Sequence, residues 1–159
     1  MSQYKYNISL ISAIYGVERY IRQFAESALD QSYDDIQFVF VNDGTKDKSM
    51  EILEELIEER FNQLRPRIVI VNKENGGLPS ARKAGLEVAD GEYILFADSD
   101  DWLETNAVEK IMAKAHATNA DIVYFDIVKE YGHKQSIKRE REYTAATREL
   151  WIENIFNYR

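Results

Sequence analysis

Three aspartates in the middle of the chain carry its strongest chemical signal. Asp98, Asp100 and Asp101 directly follow an apolar run, residues 93–97, that has the length and composition of a buried strand. Carboxylates this close raise each other's pKa unless a cation neutralises them. Hard divalent cations take oxygen ligands, including those of substrate phosphates. The pattern predicts a metal site that holds a phosphorylated ligand; surface acids that cap the next helix are the alternative that this short motif leaves open.

Two other predicted strand ends carry residues that suit a nucleotide. Tyr15 follows the apolar segment 8–14, and Asp43 follows the apolar segment 36–41. The carboxyl ends of parallel strands meet at one edge of an α/β sheet, where ligands bind. A tyrosine ring there can lie against a base, and a carboxylate can accept a hydrogen bond from a ring N–H. Packing of Tyr15 and an ordinary Asp-Gly turn at Asp43 explain the same residues without a ligand.

A loop that contains two adjacent glycines precedes the third predicted helix. Asn75, Gly76 and Gly77 come before a helix expected over residues 80–89, with Arg82 in its first turns. A diphosphate can bind both a helix N-terminus and a guanidinium, so this stretch predicts a phosphate site. A plain surface loop with an exposed arginine is the alternative. The loop is not a Walker loop, because the Gly-Lys-Ser/Thr ending is missing.

The scaffold for these residues follows from the hydrophobic pattern. Continuous apolar runs predict strands, and apolar stripes at helical spacing predict helices between them. The predicted strands cover residues 8–14, 36–41, 67–71, 93–97 and 121–128, and the predicted helices cover residues 17–29, 50–61, 80–89, 105–116 and 147–158. Strands that alternate with helices indicate an α/β fold with a mainly parallel sheet and helices on both faces.

Length, charge and composition limit the function classes. A chain of 159 residues suits one domain, residues 1–159, and its net charge of −8 argues against a nucleic-acid partner. The lack of cysteine excludes disulfides, zinc–thiolate sites and thiol nucleophiles. The N-terminus has no signal-peptide pattern, and no apolar run reaches membrane-spanning length. We therefore expect a cytoplasmic protein, with peripheral contact to the inner membrane surface left open.

Two rival interpretations of the aspartates can be tested on the sequence. In a calcium EF-hand, Asp98 and Asp100 would occupy positions 1 and 3, but Leu103 stands where the loop requires glycine. Phosphotransferases of the haloacid dehalogenase type place Asp-x-Asp after their first strand and follow it with threonine or valine. Here the motif follows the fourth predicted strand and continues with Asp101 and Trp102. Neither rival fits.

Taken together, the motifs resemble a family 2 glycosyltransferase of the GT-A fold. The resemblance runs from about residue 7 to residue 128, and its segments are residues 8–16, 28–33, 41–49, 75–78 with 81–82, 91–94 and 98–101. It implies a Rossmann-like fold and an inverting transferase that uses a nucleotide-diphosphate sugar, with a UDP-sugar favoured, and Mg²⁺ or Mn²⁺. The implied acceptor is a glycan or a lipid-linked hydroxyl, as in polysaccharide biosynthesis.

The resemblance also assigns roles by position. Tyr15 and Asp43 would contact the base, Arg82 would lie near the phosphates, and Asp98 would meet the ribose or the metal. The full set of implied nucleotide-sugar contacts is Ala13, Tyr15, Asp43, Asn75, Arg82, Asp98 and Ser99, and the implied metal ligands are Asp100 and Asp98, with Asp101 as a further acid beside them. The sequence departs from the family pattern at Ala13, Gly16, Asn42 and Lys83, where the family usually has Pro, Asn, Asp and Asn.

The general base that inverting transfer requires is not evident in the sequence. In the family this carboxylate comes from the acceptor half, which follows the matched part, and we expect residues 129–159 to be the start of that half. The base is therefore expected beyond Arg159, since Asp126 lies in a predicted strand and Glu149 and Glu153 look like exposed helix positions. A non-catalytic nucleotide-sugar-binding or assembly module is the alternative function.

The last predicted helix has an apolar side that needs a partner. Trp151, Ile155 and Phe156 share it, and we expect self-association if they remain uncovered.

Overall fold

The computed structural model describes residues 3–131 and 134–138. The chain forms two compact units, which divide between Met112 and Ala113. The predicted helix over 147–158 lies outside the described residues, and with it Glu149, Glu153 and the apolar residues expected to mediate self-association. In the part of the chain that is described, no helix has both the length and the hydrophobicity to cross a bilayer. The prediction of a single domain over 1–159 stays a prediction.

A parallel sheet of four strands forms the centre of the first unit. In chain order the strands are β1 (Tyr6–Ile14), β2 (Ile36–Asn42), β3 (Ile68–Asn72) and β4 (Gly91–Phe96). Their order in space is β3-β2-β1-β4, and every pairing is parallel. The chain therefore builds outwards from β1 to β3 and then returns past β1 to place β4. This reversal creates a topological switch point at β1 and β4, where open α/β sheets bind ligands.

Helices connect these strands, as the sequence predicts. They are α1 (Ile21–Leu29), α2 (Ser49–Arg60), α3 (Leu78–Glu87) and α4 (Ala107–Thr118), and a short 3-10 helix (Asn62–Arg67) follows α2. The predicted bounds of α2 and α3 are within about two residues of these. Helix α1 begins at Ile21 rather than Val17, because residues 17–20 form a turn in which Val17 accepts the N–H groups of Tyr20 and Ile21.

The two faces of the sheet are covered by different helices. On one face, Phe24 of α1, Leu53 of α2 and Met112 of α4 share a buried cluster with Leu10 and Phe40 of the sheet. On the other face, Ala81 of α3 packs with the sheet residues Ile11, Val39 and Val41. The prediction of a mainly parallel sheet with helices on both faces is confirmed.

Gly85 allows α3 to lie very close to the sheet. A Cβ at this position would be 2.4 Å from Cγ2 of Ile11 and 3.3 Å from Cγ2 of Val41. A larger residue would push the helix outwards, because these two side chains are themselves buried. The close contact sets the position of the whole helix, including Arg82 one turn earlier.

The second unit contains the end of α4 and a hairpin. Its strands are β5 (Ile127–Tyr131) and β6 (Lys134–Lys138), which pair antiparallel from Ile127 opposite Lys138 to Tyr131 opposite Lys134. The predicted strand over 121–128 is wrong for residues 121–126 and right only for its last two residues. Apolar character at residues 122–125 suits a strand, but a strand also needs a partner, and the pairing seen here begins at Ile127.

Candidate functional site

The ends of β1, β2 and β4 come together at the switch point of the sheet. Ile14 at the end of β1 is level with Asn42 of β2, and Ile11 is level with Phe96 of β4. Backbone bonds continue past the strand ends: Asp43 donates its N–H to Ile14 (3.1 Å), and Ala97 donates to Ile11 (3.1 Å). The structure thus brings Tyr15, Asp43 and the aspartate segment to one edge of the sheet, as the sequence predicts.

Asp43 is buried and organises the loop that follows β3. Its side chain accepts three hydrogen bonds: from Nζ of Lys73 (2.5 Å) and the N–H of Gly76 (3.0 Å) at Oδ1, and from the N–H of Gly77 (2.8 Å) at Oδ2. Burial alone would raise the pKa of Asp43, but the bond from Lys73, the two backbone N–H groups and the charge of Lys73 together lower it. Asp43 is therefore held as a carboxylate. An ionised carboxylate has about four acceptor positions, so one remains for a further donor.

Lys73 is a site residue that the sequence analysis missed. It follows β3 and pairs with Asp43, and its ammonium also contacts the carbonyl oxygen of Glu74. Its side chain is only 22% exposed, so the ion pair is largely shielded from water. The strand-end argument that selected Tyr15, Asp43 and Asp98 would have found Lys73 if applied to β3 as well.

Gly44 brings this loop up to the end of β2. Its φ is +69°, and a Cβ there would lie 2.8 Å from the backbone nitrogen of Asn75. Only glycine combines that backbone conformation with so close an approach. Asn75 itself is exposed beside Gly76 and Gly77, where its side chain is accessible to a ligand.

Asp47 ties the loop after β1 to the loop after β2. Its carboxylate accepts bonds from the hydroxyl of Thr45 (2.8 Å), from the hydroxyl (2.6 Å) and N–H (3.1 Å) of Ser49, and from the N–H of Glu18 (3.0 Å). Thr45 also accepts the N–H of Gly16 (2.9 Å). These bonds fix the backbone that follows Tyr15, while Tyr15 stays 54% exposed and its ring is available for stacking.

We expect this network to make the protein sensitive to acid. Burial would raise the pKa of Asp47, but hydrogen bonds from Ser49, Thr45 and Glu18 lower it from 3.8 to about 2. A lowered pKa stabilises the folded state above the unfolded-state pKa, and this contribution is lost as pH falls from about 4 through 2. At about 1.4 kcal/mol per pH unit, it amounts to ~2 kcal/mol. The difference in free energy of unfolding between wild type and Asp47→Asn should therefore shrink between pH 5 and pH 2 in urea titrations. A difference that stays constant over this range would contradict it.

Ser99 connects the aspartate segment to β1. Its hydroxyl donates to the carbonyl oxygen of Ala13 (2.7 Å), and only 4% of Ser99 is exposed. Both residues were predicted to contact the nucleotide sugar; the structure shows that they bond to each other. Ser99 thereby holds the backbone between Asp98 and Asp100, and alternate residues of this short segment point outwards.

Arg82 lies beside the aspartate segment. Its Nη2 is 2.8 Å from Oδ1 of Asp98, with 37% of the Arg82 side chain and 51% of the Asp98 side chain exposed. An ion pair this exposed contributes little to stability. Both groups therefore remain available to a ligand, and the structure brings together the predicted phosphate-binding arginine and the predicted ribose- or metal-binding acid.

The aspartates form a locally anionic surface. Asp98, Asp100 and Asp101 are all exposed, and the N–H of Asp101 donates to the carbonyl oxygen of Asp98 (3.1 Å) in a tight turn. Partial desolvation, together with the neighbouring carboxylates of Asp100 and Asp98, raises the pKa of Asp101. Among the residues that the structure describes, no three His, Cys, Asp or Glu side chains are arranged to hold a metal ion. The oxygen donors suit Mg²⁺ or Mn²⁺, and water or substrate phosphates can fill further coordination positions of such an ion.

Helix α1 supports the backbone that follows the aspartates. The hydroxyl of Ser27 accepts the N–H of Leu103 (3.1 Å), and Oε1 of Gln31 accepts the N–H of Val108 (3.0 Å) at the start of α4. The amide of Gln31 also donates to the carbonyl oxygen of Glu104 (2.9 Å). The segment around the aspartates is thus fixed from β1 through Ser99, from α1 through Ser27, and from the loop after α1 through Gln31.

Comparison of the sequence with models of known protein families agrees with this parallel sheet and the site at its strand ends. The profile of the family described as Glycosyl transferase family 2 matches residues 9–159. The chain belongs to this family. The match includes β1 from residue 9 onward, the whole of β2, β3 and β4, and all the residues of the candidate site.

Curated relatives extend over longer chains. Glycosyltransferase GlyA of Streptococcus pneumoniae is 41% identical over 115 residues, which cover 72% of this chain and 16% of GlyA. EpsH of Bacillus subtilis is 34% identical over 152 residues, 94% of this chain and 42% of EpsH. Hyaluronan synthase of Pasteurella multocida is 34% identical over 124 residues, 72% of this chain and 12% of that enzyme. The chain therefore spans less than half the length of these family 2 relatives.

Solved structures show the same fold. TarS of S. aureus, residues 1–349 in complex with UDP-GlcNAc, matches with a TM-score of 0.65 and 27% identity over 72% of this chain and 32% of TarS. The mannosyltransferase PcManGT of Pyrobaculum calidifontis, in complex with GDP-Man and Mn²⁺, matches with a TM-score of 0.61 and 20% identity over 74% of this chain and 33% of PcManGT. The second likeness shows the fold alone. The GT-A architecture predicted from the motifs is confirmed.

Proposed function

We propose that this chain is the donor-binding part of an inverting, metal-dependent glycosyltransferase and that its donor is a UDP-sugar. The observation that carries the proposal is the meeting of Tyr15, Asp43, Arg82 and the aspartates Asp98 and Asp100 at one sheet edge. Each supplies a different part of what a nucleotide diphosphate needs: an aromatic surface, a hydrogen-bond acceptor, a cation and metal-binding carboxylates. The similarity to TarS, which binds UDP-GlcNAc, supports the choice of donor.

The base would bind between Tyr15 and Asp43. The half-exposed ring of Tyr15 offers an apolar surface for a planar base. Asp43 is ionised and accepts three bonds, so its remaining acceptor position can take the ring N–H of uracil. Because Asp43 also holds the loop of Asn75 to Gly77, base recognition and loop position depend on the same carboxylate.

The diphosphate would bind near Arg82 and the aspartates. Asp100, with Asp98 beside it, would hold a divalent cation, and Arg82 would contact the phosphates. When bound, Mg²⁺ or Mn²⁺ neutralises the charge of the diphosphate and stabilises it as a leaving group. Since the described residues supply few metal ligands, we expect cation and nucleotide to bind together rather than separately.

The transfer step needs residues that this site does not provide. The hydroxyl oxygen of the acceptor would attack the anomeric carbon, the bond from that carbon to the phosphate oxygen would break, and a carboxylate would take the hydroxyl proton. We propose that this general base lies beyond Arg159 and that the acceptor is a glycan or lipid-linked hydroxyl. A cytoplasmic location and contact with the inner membrane surface also stay predictions.

Nucleotide preference tests the donor site. We expect the chain to bind UDP in the presence of Mn²⁺ about 10- to 150-fold more tightly than CDP. The cytosine ring has no N–H to donate to Asp43, and such a bond to a charged acceptor contributes about 1.5–3 kcal/mol. Isothermal titration calorimetry measures both affinities.

A diphosphate of N3-methyluridine is the matched control for this comparison. It keeps both carbonyl groups of uracil and carries a methyl group in place of the hydrogen on the ring nitrogen, so it should bind no more tightly than CDP. Equal affinity for UDP and CDP would remove Asp43 from base recognition. No measurable binding of UDP or GDP with Mn²⁺ would overturn the proposed function.

A further inference from the structure

An aromatic ring lies beneath the guanidinium of Arg82. Cζ of Arg82 is 5.1 Å from the ring centroid of Phe96, within the range of a cation–π contact. Phe96 is the last residue of β4, and 38% of it is exposed. It is level with Ile11, on the face of the sheet that α3 covers. The ring is thus placed between the sheet and the one cation of α3 that reaches the aspartates.

A cation bound at the aspartates would weaken the ion pair that Arg82 makes with Asp98. Arg82 pairs with Asp98, whose side chain is 51% exposed. A cation bound by Asp98 would repel the guanidinium and reduce the attraction between Arg82 and this carboxylate. The ring of Phe96 carries no charge and no carboxylate oxygen, so a ligand that binds Asp98 leaves the contact between Phe96 and Arg82 in place.

We infer that Phe96 is a positioning residue that holds the guanidinium of Arg82 in place for the phosphates when a ligand occupies Asp98. An arginine side chain has many rotamers, and fixing it costs conformational entropy on binding. A ring that already orients the guanidinium lowers that cost. This inference rests on the proposed nucleotide site, since Arg82 needs a phosphate ligand for its position to matter.

The experiment measures the affinity for UDP with Mn²⁺ in a set of variants of this chain. A cation–π contact at an exposed site corresponds to about two- to fivefold in affinity, so Phe96→Leu should weaken binding by that factor. Phe96→Tyr, which keeps the ring, should restore wild-type affinity. Ile94→Ala is the matched control, because Ile94 lies two residues earlier on the same strand and is also 38% exposed; it should bind UDP as wild type does.

A double-mutant cycle separates positioning from packing. In an Arg82→Met background, which keeps the side-chain stem and removes the charge, Phe96→Leu should have no further effect on UDP affinity. An equal loss in both backgrounds would mean that Phe96 acts on the fold and not through Arg82, and would overturn the inference. So would unchanged affinity of Phe96→Leu, provided that wild type binds UDP. If Phe96→Leu fails to fold, weaker binding by a folded Phe96→Tyr would overturn it. Wild type that binds no UDP with Mn²⁺ would overturn the proposed function and this inference together.

Discussion

Replacing Asp43 with asparagine is expected to lower the free energy of unfolding by about 2–4 kcal/mol and to abolish tight binding of UDP. Both carboxylate oxygens accept hydrogen bonds, so whichever becomes the amide NH₂ group will face a donor of Lys73, Gly76 or Gly77. Removing one partner of a buried ion pair costs about 3–5 kcal/mol. Lys73 is 22% exposed and keeps part of its hydration. The expected loss of stability therefore lies below the top of that range.

Urea unfolding followed by circular dichroism measures the stability change. Glu74→Gln is the matched control, because Glu74 is an exposed acid in the same loop, and it should unfold as wild type does. The interaction energy between Asp43 and Lys73 can be measured with a second substitution, Lys73→Met. The effects of Asp43→Asn and Lys73→Met on the free energy of unfolding should be non-additive by about 1–2 kcal/mol. A stability loss below about 0.5 kcal/mol for Asp43→Asn would show that Asp43 does not hold the loop.

Replacing Asp100 with asparagine is expected to weaken Mn²⁺-dependent binding of UDP by about 1–3 kcal/mol, or roughly 5- to 150-fold, without unfolding the protein. Asp100 is exposed, and its charge and that of the neighbouring Asp101 carboxylate repel each other in the absence of a cation. The substitution therefore removes a metal ligand and at the same time relieves like-charge repulsion. The fold should be unaffected or slightly stabilised, and the loss should be confined to the nucleotide complex.

Calorimetry with and without Mn²⁺ measures this effect. Glu92→Gln is the matched control, because Glu92 is an exposed acid near the start of β4, at the end of the strand opposite the aspartates; the substitution removes the same charge and should leave UDP binding unchanged. For Asp100→Asn the dependence of UDP affinity on Mn²⁺ should largely disappear. Equal affinities for wild type and Asp100→Asn, both with Mn²⁺, would rule out Asp100 as the metal ligand.

The sequence determined the α/β fold and the edge of the sheet that holds the site. The hydrophobic pattern has one period in strands and another in helices, so the elements could be predicted from it. A parallel sheet brings the carboxyl ends of its strands to one edge. Tyr15, Asp43 and Asp98 each follow an apolar run, so they could be placed together at that edge. The order of the motifs also identified the family. The hairpin β5–β6 could not be read in the same way, because the pairing of a strand depends on its partner rather than on its own residues.

Only the tertiary structure decided what each polar side chain contacts. In the sequence, Asp43 belongs to an Asp-Gly turn, and Lys73, 30 residues away, shows no sign of being its partner. They form an ion pair in the folded chain because β2 and β3 are neighbours. Ser99 was predicted to contact the ligand, yet its hydroxyl bonds to Ala13 of the adjacent strand. The stacking of Arg82 on Phe96 depends on how closely Gly85 lets α3 approach the sheet. Such contacts depend on distances between elements that are far apart in the chain, and local periodicity carries no information about those distances.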